Sequence, residues 1–341
     1  MENLLTLGIE SSCDETAAAV ASGRYSVLSS VVASQHDVHS KYGGVVPELA
    51  CRRHSEVISP IVHEALERAG VSVNDIGLVA VTRGPGLVGA LLVGVSYAKA
   101  LAWARGIPLA GVNHLQGHVM SAFIEKPDTP LPMLALLVSG GHSELFMVER
   151  PGAVQRLGGT RDDAAGEVFD KVARMMDLGF PGGPAVERMA RGGAAKFDIP
   201  IAHLHHGGEF DFSFSGPKTA VKNIVNKFQA KGEQVPAADI CASFQKSVVE
   251  ALAAKTKLAA ERFNPGSLAL VGGVACNGAL RERFTKLGDS LGLPVIIPPP
   301  HLCSDNAAMT AAAGAGMYLD EPASPGWTDY LALDADPAWL P

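Results

Sequence analysis

The chain has 341 residues, 47% of them hydrophobic and 18% charged, which describes a globular protein long enough for two domains and excludes a disordered one. Its formal net charge of −7 argues against indiscriminate nucleic-acid binding, though not against a local basic patch or a nucleic acid held with a partner's help. No uninterrupted apolar run reaches the roughly 18 residues of a membrane span, Met1-Glu2-Asn3 lacks a signal peptide's basic start, and five cysteines without paired spacing suit a reducing cytoplasm.

Leu5 to Glu10 is a short apolar strand, Ser11 to Thr16 a polar turn and Ala17 to Ala21 a second strand, together a hairpin with a small-residue loop. Asp14 and Glu15 are paired acids in that turn. They are either solvated or, in a closed cleft, able to orient a metal-bound water or accept a proton. Pro47 to Ala69 carries apolar residues at helical spacing and ends at Gly70, a C-cap. Asp75 to Val81 reads as a buried strand, followed by Gly84-Pro85-Gly86 and a buried helix over Leu87 to Ala104.

Next comes a strand from Ile107 to Val112, and after it His114-Leu115-Gln116-Gly117-His118. Residues i and i+4 share a helix face, so the two imidazoles can bind one divalent metal with a third ligand from elsewhere. Zinc proteases use His-Glu-x-x-His with the Glu as general base; Leu115 stands in that place here. Both histidines could instead be ordinary surface or core residues.

The opening pattern returns in mid-chain. Met133 to Val138 is a strand, Ser139-Gly140-Gly141-His142-Ser143 a loop and Glu144 to Val148 a strand, which suggests an internal duplication with one hairpin opening each half. Phe169-Asp170-Lys171 and Pro181-Gly182-Gly183-Pro184 follow, the latter letting a ligand approach the backbone closely. Ser213 to Lys218 is a loop or a substrate lip. Cys241 to Phe263 is a long amphipathic helix. A buried strand, Leu268 to Val271, runs into Gly272-Gly273-Val274-Ala275-Cys276-Asn277 and a helix from Gly278 to Leu287; Pro294 to Ile297 is a last strand. Ser304 to Leu319 is a small-residue helix whose Ser-Asp-Asn start is either a cap or the source of a third metal ligand, Asp305. Spacing leaves both open. The tail from Glu321 is irregular.

Strands alternating with helices give an α/β class. Duplicated loops that can turn N–H groups toward an anion suggest two similar domains with a nucleotide cleft between them.

Five segments resemble one family. Gly8 to Thr16, Asn113 to His118, Leu137 to His142, Gly272 to Asn277 and Ser304 to Met309 match, in order, the bacterial TsaD family, the tRNA adenosine threonylcarbamoyltransferases once labelled sialoglycoproteases. The resemblance runs from about Leu7 to about Leu319. Gln116 stands where many relatives have Glu, and Pro217 where Leu is usual.

The resemblance implies a two-lobed actin-like, sugar-kinase-like (ribonuclease-H-like) fold with an interdomain cleft. It places one lobe at residues 1–131 plus 307–341 and the other at 132–306. It implies transfer of threonylcarbamoyl from threonylcarbamoyl-AMP to N6 of the adenosine 3′ of the anticodon in tRNAs reading ANN codons. By motif, His114, His118 and Asp305 hold one divalent ion, Fe2+ with Zn2+ as the alternative. Leu137, Val138, Ser139, Gly140, Gly141, Asp170, Gly183 and Asn277 contact the adenylate, and Glu187 its ribose. Apart from the resemblance, the exocyclic amine is a poor nucleophile, so Asp14 or Glu15 is expected to help remove its proton. A TsaB-like paralogue and a TsaE-like ATPase are implied as partners, with no membrane and a cytoplasmic location. A metallopeptidase and a non-catalytic nucleotide-binding scaffold are the alternatives. The absent glutamate at position 115 counts against the first, and the histidine pair against the second.

Overall fold

A computed structural model describes residues 3–201 and 208–340. Met1 and Glu2, part of the N-terminal segment without a basic start, lie outside the described residues. The chain divides into two compact units. One comprises the chain up to Thr129, Arg150–Val154 and the chain from His301; the other comprises Pro130–Glu149 and Gln155–Pro300.

The first unit is built on a five-stranded sheet, β1 (Leu5–Glu10), β2 (Glu15–Ser22), β3 (Ser26–Ser34), β4 (Leu78–Gly84) and β5 (Leu109–Asn113), in the order β3-β2-β1-β4-β5. β1 pairs antiparallel with β2 and parallel with β4, and β4 pairs parallel with β5. The expected hairpin is therefore present, with Leu7 opposite Val20 and Ile9 opposite Ala18. β1 is apolar on both faces because both faces are covered.

After a single turn, α1 (His36–His39), come α2 (Pro47–Ala69) and α3 (Val88–Arg105). They bury Ile58, Val62, Leu66, Val95 and Ala98 against Leu7, Ile9, Val79 and Val81. α2 has the expected bounds: Pro47 starts it and Gly70, at φ 68°, ends it in the left-handed conformation that glycine adopts without strain. α4 (His114–Glu125) follows β5 directly.

The second unit repeats the plan. Its sheet contains β6 (Met133–Val138), β7 (Ser143–Arg150), β8 (Ala153–Gly159), β9 (Ser267–Val271) and β10 (Val295–Ile296), ordered β10-β9-β6-β7-β8. Counted from its own first strand, this is the first sheet's order. β6 again pairs antiparallel with the strand after it and parallel with β9. The helices are α5 (Ala165–Met175), α6 (Gly182–Ala190), α7 (Ser215–Ala230), α8 (Ala237–Phe263) and α9 (Gly278–Leu291). After α10 (Pro300–Cys303) the chain returns to the first unit as α11 (Ala307–Asp320).

α11 lies on the first sheet at backbone distance. A Cβ added to Gly8 of β1 would stand 2.3 Å from the Ala307 carbonyl oxygen and 2.7 Å from the Ala311 nitrogen, and one added to Gly314 would stand 2.4 Å from the Ala80 Cβ. Glycine on one surface facing alanine on the other gives this close approach, which is why the helix is a run of small residues.

Several expected elements differ. β3 and β8 are additional strands. β3 is an edge strand whose serines and exposed Leu28 and Val32 break the period-2 signal. Asp75 is not in a strand: Ser72 and Asp75 form a capping box around a single 3-10 turn, and β4 begins at Leu78. Ser215 to Lys218 are not loop but the first turn of α7, where Pro217 is tolerated because an N–H there has no partner within the helix. α8 starts at Ala237, ahead of Cys241. α11 starts at Ala307, not Ser304, because Asn306 is its cap and its side chain accepts from the Met309 N–H at 3.0 Å. No described helix is long and apolar enough to cross a membrane.

Candidate active site

The first unit concentrates its chemistry where β1, β5 and the start of α11 end. Asn113, fully buried, closes β5 and caps α4: its Oδ1 accepts from the Leu115 N–H at 2.9 Å and the Gln116 N–H at 3.2 Å. The helix therefore begins at His114, and His118 follows one turn later. Gly117 lets α11 come near, since an added Cβ would meet the Met309 side chain at 3.3 Å.

Asp305, delivered by the cap at Asn306, completes a triad. Its Oδ1 lies 3.1 Å from His118 Nε2 and 3.6 Å from His114 Nε2. One ligand atom from each of the three residues lies within 4.8 Å of the others. Asp305 is thus a partner of the histidines and not the helix cap.

Behind His114 sits a carboxylate that sequence reasoning left without a role. Glu10 is fully buried at the end of β1. Its Oε2 is 3.2 Å from His114 Nδ1 and accepts from Thr82 Oγ1 at 2.6 Å, while its Oε1 accepts from the Ser12 N–H at 2.7 Å. Ser12 Oγ is itself 3.2 Å from His114 Nδ1. The signal was available: an acid ends an otherwise apolar buried strand. A carboxylate on the far nitrogen of a ligating histidine fixes the ring and raises its basicity.

The donor set fits a cation. With Nδ1–H of His114 donated to Glu10, its Nε2 lone pair faces the Asp305 carboxylate, as an acceptor facing an acceptor. Without a cation, a proton takes that place. Burial opposes a charged His114, but Asp305 and Glu10 outweigh it and push its pKa up to about 9. Asp14 and Glu15 bring further acids close to this site. Glu15 is pushed up to about 9 by burial first and then by Asp305, Asp14 and Glu10. Burial first, then Asp14, Asp305 and Glu15, push the Cys13 thiol well above its usual range. His118 Nδ1 is buried with no hydrogen-bond partner among the described residues.

The second unit gathers the remaining expected residues by hydrogen bonds. Leu137 and Val138 end β6, and the loop after it holds Ser139, Gly140 and Gly141. The Gly166 N–H donates to the Ser139 carbonyl at 3.2 Å and the Glu167 N–H to that of Gly140 at 3.1 Å, tying the loop to α5. Asp170, on α5, accepts from the Gly182 N–H at 2.6 Å at the start of α6. Glu187, on α6, accepts from the Gly278 N–H at 3.3 Å at the start of α9, which Asn277 caps. Asn277 also donates from Nδ2 to Gln245 Oε1 at 2.9 Å. Gly272, at φ 91°, closes the ring: an added Cβ would stand 2.4 Å from the Val138 carbonyl oxygen. In front of Gly140, Gly141, Gly183 and Gly273 an added Cβ would meet nothing within 4 Å. Four open glycines on loops and helix starts can bring backbone N–H groups against an anionic ligand.

The basic residues of α7 and of the first turns of α2 divide. Lys222 and Lys227 are exposed on α7. Lys218 instead bonds Asp163, which also takes Lys171 at 2.5 Å, so its charge is spent inside the unit. Arg53 pairs with Glu56 at 2.9 Å, beside exposed Arg52.

Comparisons with known proteins give the family and the fold. The profile of the family described as TsaD, tRNA N6-adenosine threonylcarbamoyltransferase, matches residues 26–312. A tRNA N6-adenosine threonylcarbamoyltransferase of Symbiobacterium thermophilum is 54% identical over 310 residues, which cover 91% of this chain and 90% of the relative. One of Pelobacter propionicus is 50% identical over 337 residues, 98% of this chain and 97% of the relative. Among solved structures, HypF of T. kodakarensis has a TM-score of 0.62 at 16% identity, over 97% of this chain and 49% of that one. Component A of the Acidaminococcus fermentans (R)-2-hydroxyglutaryl-CoA dehydratase has a TM-score of 0.55 at 15% identity, over 93% of this chain and 99% of that one. At such identities the likeness is one of fold: it is the actin-like, sugar-kinase-like class that the sequence implies.

Proposed function

The chain belongs to the TsaD family of tRNA N6-adenosine threonylcarbamoyltransferases, and from that premise we propose that it transfers threonylcarbamoyl from threonylcarbamoyl-AMP to N6 of the adenosine 3′ of the anticodon in tRNAs reading ANN codons, forming t6A. The observation that carries the chemistry is the His114–His118–Asp305 triad with Glu10 buried behind it. These three residues would hold one divalent ion, Fe2+ with Zn2+ as the alternative, since mixed imidazole and carboxylate ligation suits both. When bound, such an ion supplies Lewis acidity to the reacting carbonyl.

The protein's own residues do the rest. Leu137 to Gly141, Asp170, Gly183 and Asn277 hold the adenylate, with Glu187 toward its ribose. The substrate is a mixed carbamic–phosphoric anhydride, so the bond from N6 to the carbamoyl carbon forms as the carbon–oxygen bond to phosphate breaks, and AMP leaves. No side-chain nucleophile is needed. The N6 proton passes to Asp14 or Glu15. Glu15 holds a proton near neutrality while the site lacks a cation, and positive charge beside Asp305 lowers the cost of ionising it. Leu115, in place of a protease's glutamate, leaves the peptidase alternative without a general base. tRNA, a TsaB-like paralogue and a TsaE-like ATPase are the proposed partners, in the cytoplasm.

Depleting the protein is expected to remove t6A from tRNA digests read by mass spectrometry, with restoration by the wild-type chain and not by a His118→Ala chain. Persistence of t6A at the wild-type level would refute the assignment. Asp170→Ala is expected to weaken binding of a non-reactive adenylate analogue about tenfold, the loss of a hydrogen bond to a charged group being roughly 1.5–3 kcal/mol, at unchanged metal content. Equal calorimetric affinities would remove Asp170 from the site.

A further inference from the structure

The segment Asp329–Leu340 runs back across the first unit, and its contacts converge on the metal triad from behind. Tyr330 Oη donates to the Ile107 carbonyl at 2.8 Å, just ahead of β5. Lys99 Nζ, on α3, donates to the Leu333 carbonyl at 2.8 Å. The Asp336 N–H donates to the Arg83 carbonyl at 2.7 Å, and the Gly86 N–H to that of Pro337 at 3.2 Å. The Arg83 guanidinium lies over the Trp339 ring, 4.8 Å from its centroid. Gly84 has room only for hydrogen, since an added Cβ would stand 1.8 Å from the Asp336 carbonyl oxygen.

Two of these ties lead to His114. Trp339 offers its carbonyl to Asn113 Nδ2 at 3.0 Å, and the other end of that amide caps α4 through the Leu115 and Gln116 N–H groups. One side chain is thus gripped by the tail and sets the first turn, which begins with His114. Pro337 holds Gly86, where an added Cβ would stand 2.5 Å from the Ser12 carbonyl oxygen, and Ser12 Oγ contacts His114 Nδ1.

We propose that Asp329–Leu340 is a strap that positions His114 for metal, with Trp339 and Asn113 as its positioning residues. The proposal rests on His114 being a ligand. The carbonyl of Trp339 is a backbone group, so the ring's role is to anchor it: stacked on Arg83, the ring keeps that carbonyl against Asn113.

The test uses the full-length chain with Co2+ as probe. Trp339→Ala removes the anchor and Trp339→Phe keeps an aromatic face for Arg83. Asn113→Asp keeps the cap acceptor but removes the donor to Trp339. Trp339→Ala and Asn113→Asp are expected to weaken Co2+ binding about tenfold and to alter the visible spectrum of the bound ion, and Trp339→Ala is also expected to speed amide exchange at Leu115 and Gln116 in the metal-free protein. Trp339→Phe is expected to restore all three. A cavity variant on the opposite side of the sheet, Ile61→Ala, serves as a control for lost stability and is expected to leave affinity and spectrum unchanged. Wild-type affinity and spectrum in Trp339→Ala, or the same loss in Ile61→Ala, would overturn the strap while leaving the metal site in place. His114→Ala that binds Co2+ normally would overturn both.

Discussion

His118→Ala and Asp305→Ala are each expected to reduce bound metal from about one ion per chain to a trace, and to slow threonylcarbamoyl transfer about a thousandfold. The rate follows from magnitudes: Lewis-acid polarisation supplies several kcal/mol of transition-state stabilisation, and each 1.36 kcal/mol is tenfold. The metal loss follows from geometry, since Asp305 Oδ1 lies 3.1 Å from His118 Nε2 and no other carboxylate among the described residues completes this triad. Glu10→Gln belongs to the same series with a smaller effect, about 10–100-fold in metal affinity, because it removes the charge behind His114 while leaving the ligand set intact. Elemental analysis of the purified variants and single-turnover transfer to tRNA provide the readouts. A His118→Ala protein with full metal content and wild-type turnover would end the metal assignment.

Gly8→Ala is expected to be strongly destabilising, because it overpacks the seat of α11 on the first sheet. Its Cβ would stand 2.3 Å from the Ala307 carbonyl oxygen and 2.7 Å from the Ala311 nitrogen, both backbone atoms of α11 that no rotamer change can move. Overpacking of this kind costs about 3 kcal/mol. Because Asp305 precedes α11 by a single cap residue, metal affinity is expected to fall with stability. Gly140→Ala, with nothing within 4 Å of its added Cβ, is the matched control and is expected to leave denaturant midpoints unchanged. Equal midpoints for Gly8→Ala and the wild type would show that the helix is not seated at backbone distance.

What could be read from the chain alone were features carried by neighbours in sequence. Pro47 and Gly70 bound α2, β6 spans the expected Met133–Val138, and the spacing of His114 and His118 gives one helix face. Elements whose stability comes from tertiary partners were not legible. β3 gains its place from pairing with β2, despite serines that suppress any alternation. Asp305 could be told from a helix cap only once Asn306 was seen making the bond to Met309. Glu10 is one acid in a strand until folding sets it against His114, 104 residues away. The order in which Asp170 reaches Gly182 and Glu187 reaches Gly278 depends on how α5, α6 and α9 pack, which no local pattern encodes. The resemblance named these residues without the bonds that assemble them.

The route of the chain also sets a timetable. The first unit takes its covering helix α11 from the far side of Pro130–Glu149 and Gln155–Pro300. During synthesis, a process in which domains commonly fold from the N-terminus onward, the glycine-bearing face of β1 stays bare until the ribosome has released Ala307 to Asp320. The second unit, whose own strands and helices are made earlier, can close while the first is still waiting. Both histidines are made long before Asp305, so the three residues can meet only after the whole sequence of the second unit has been synthesised.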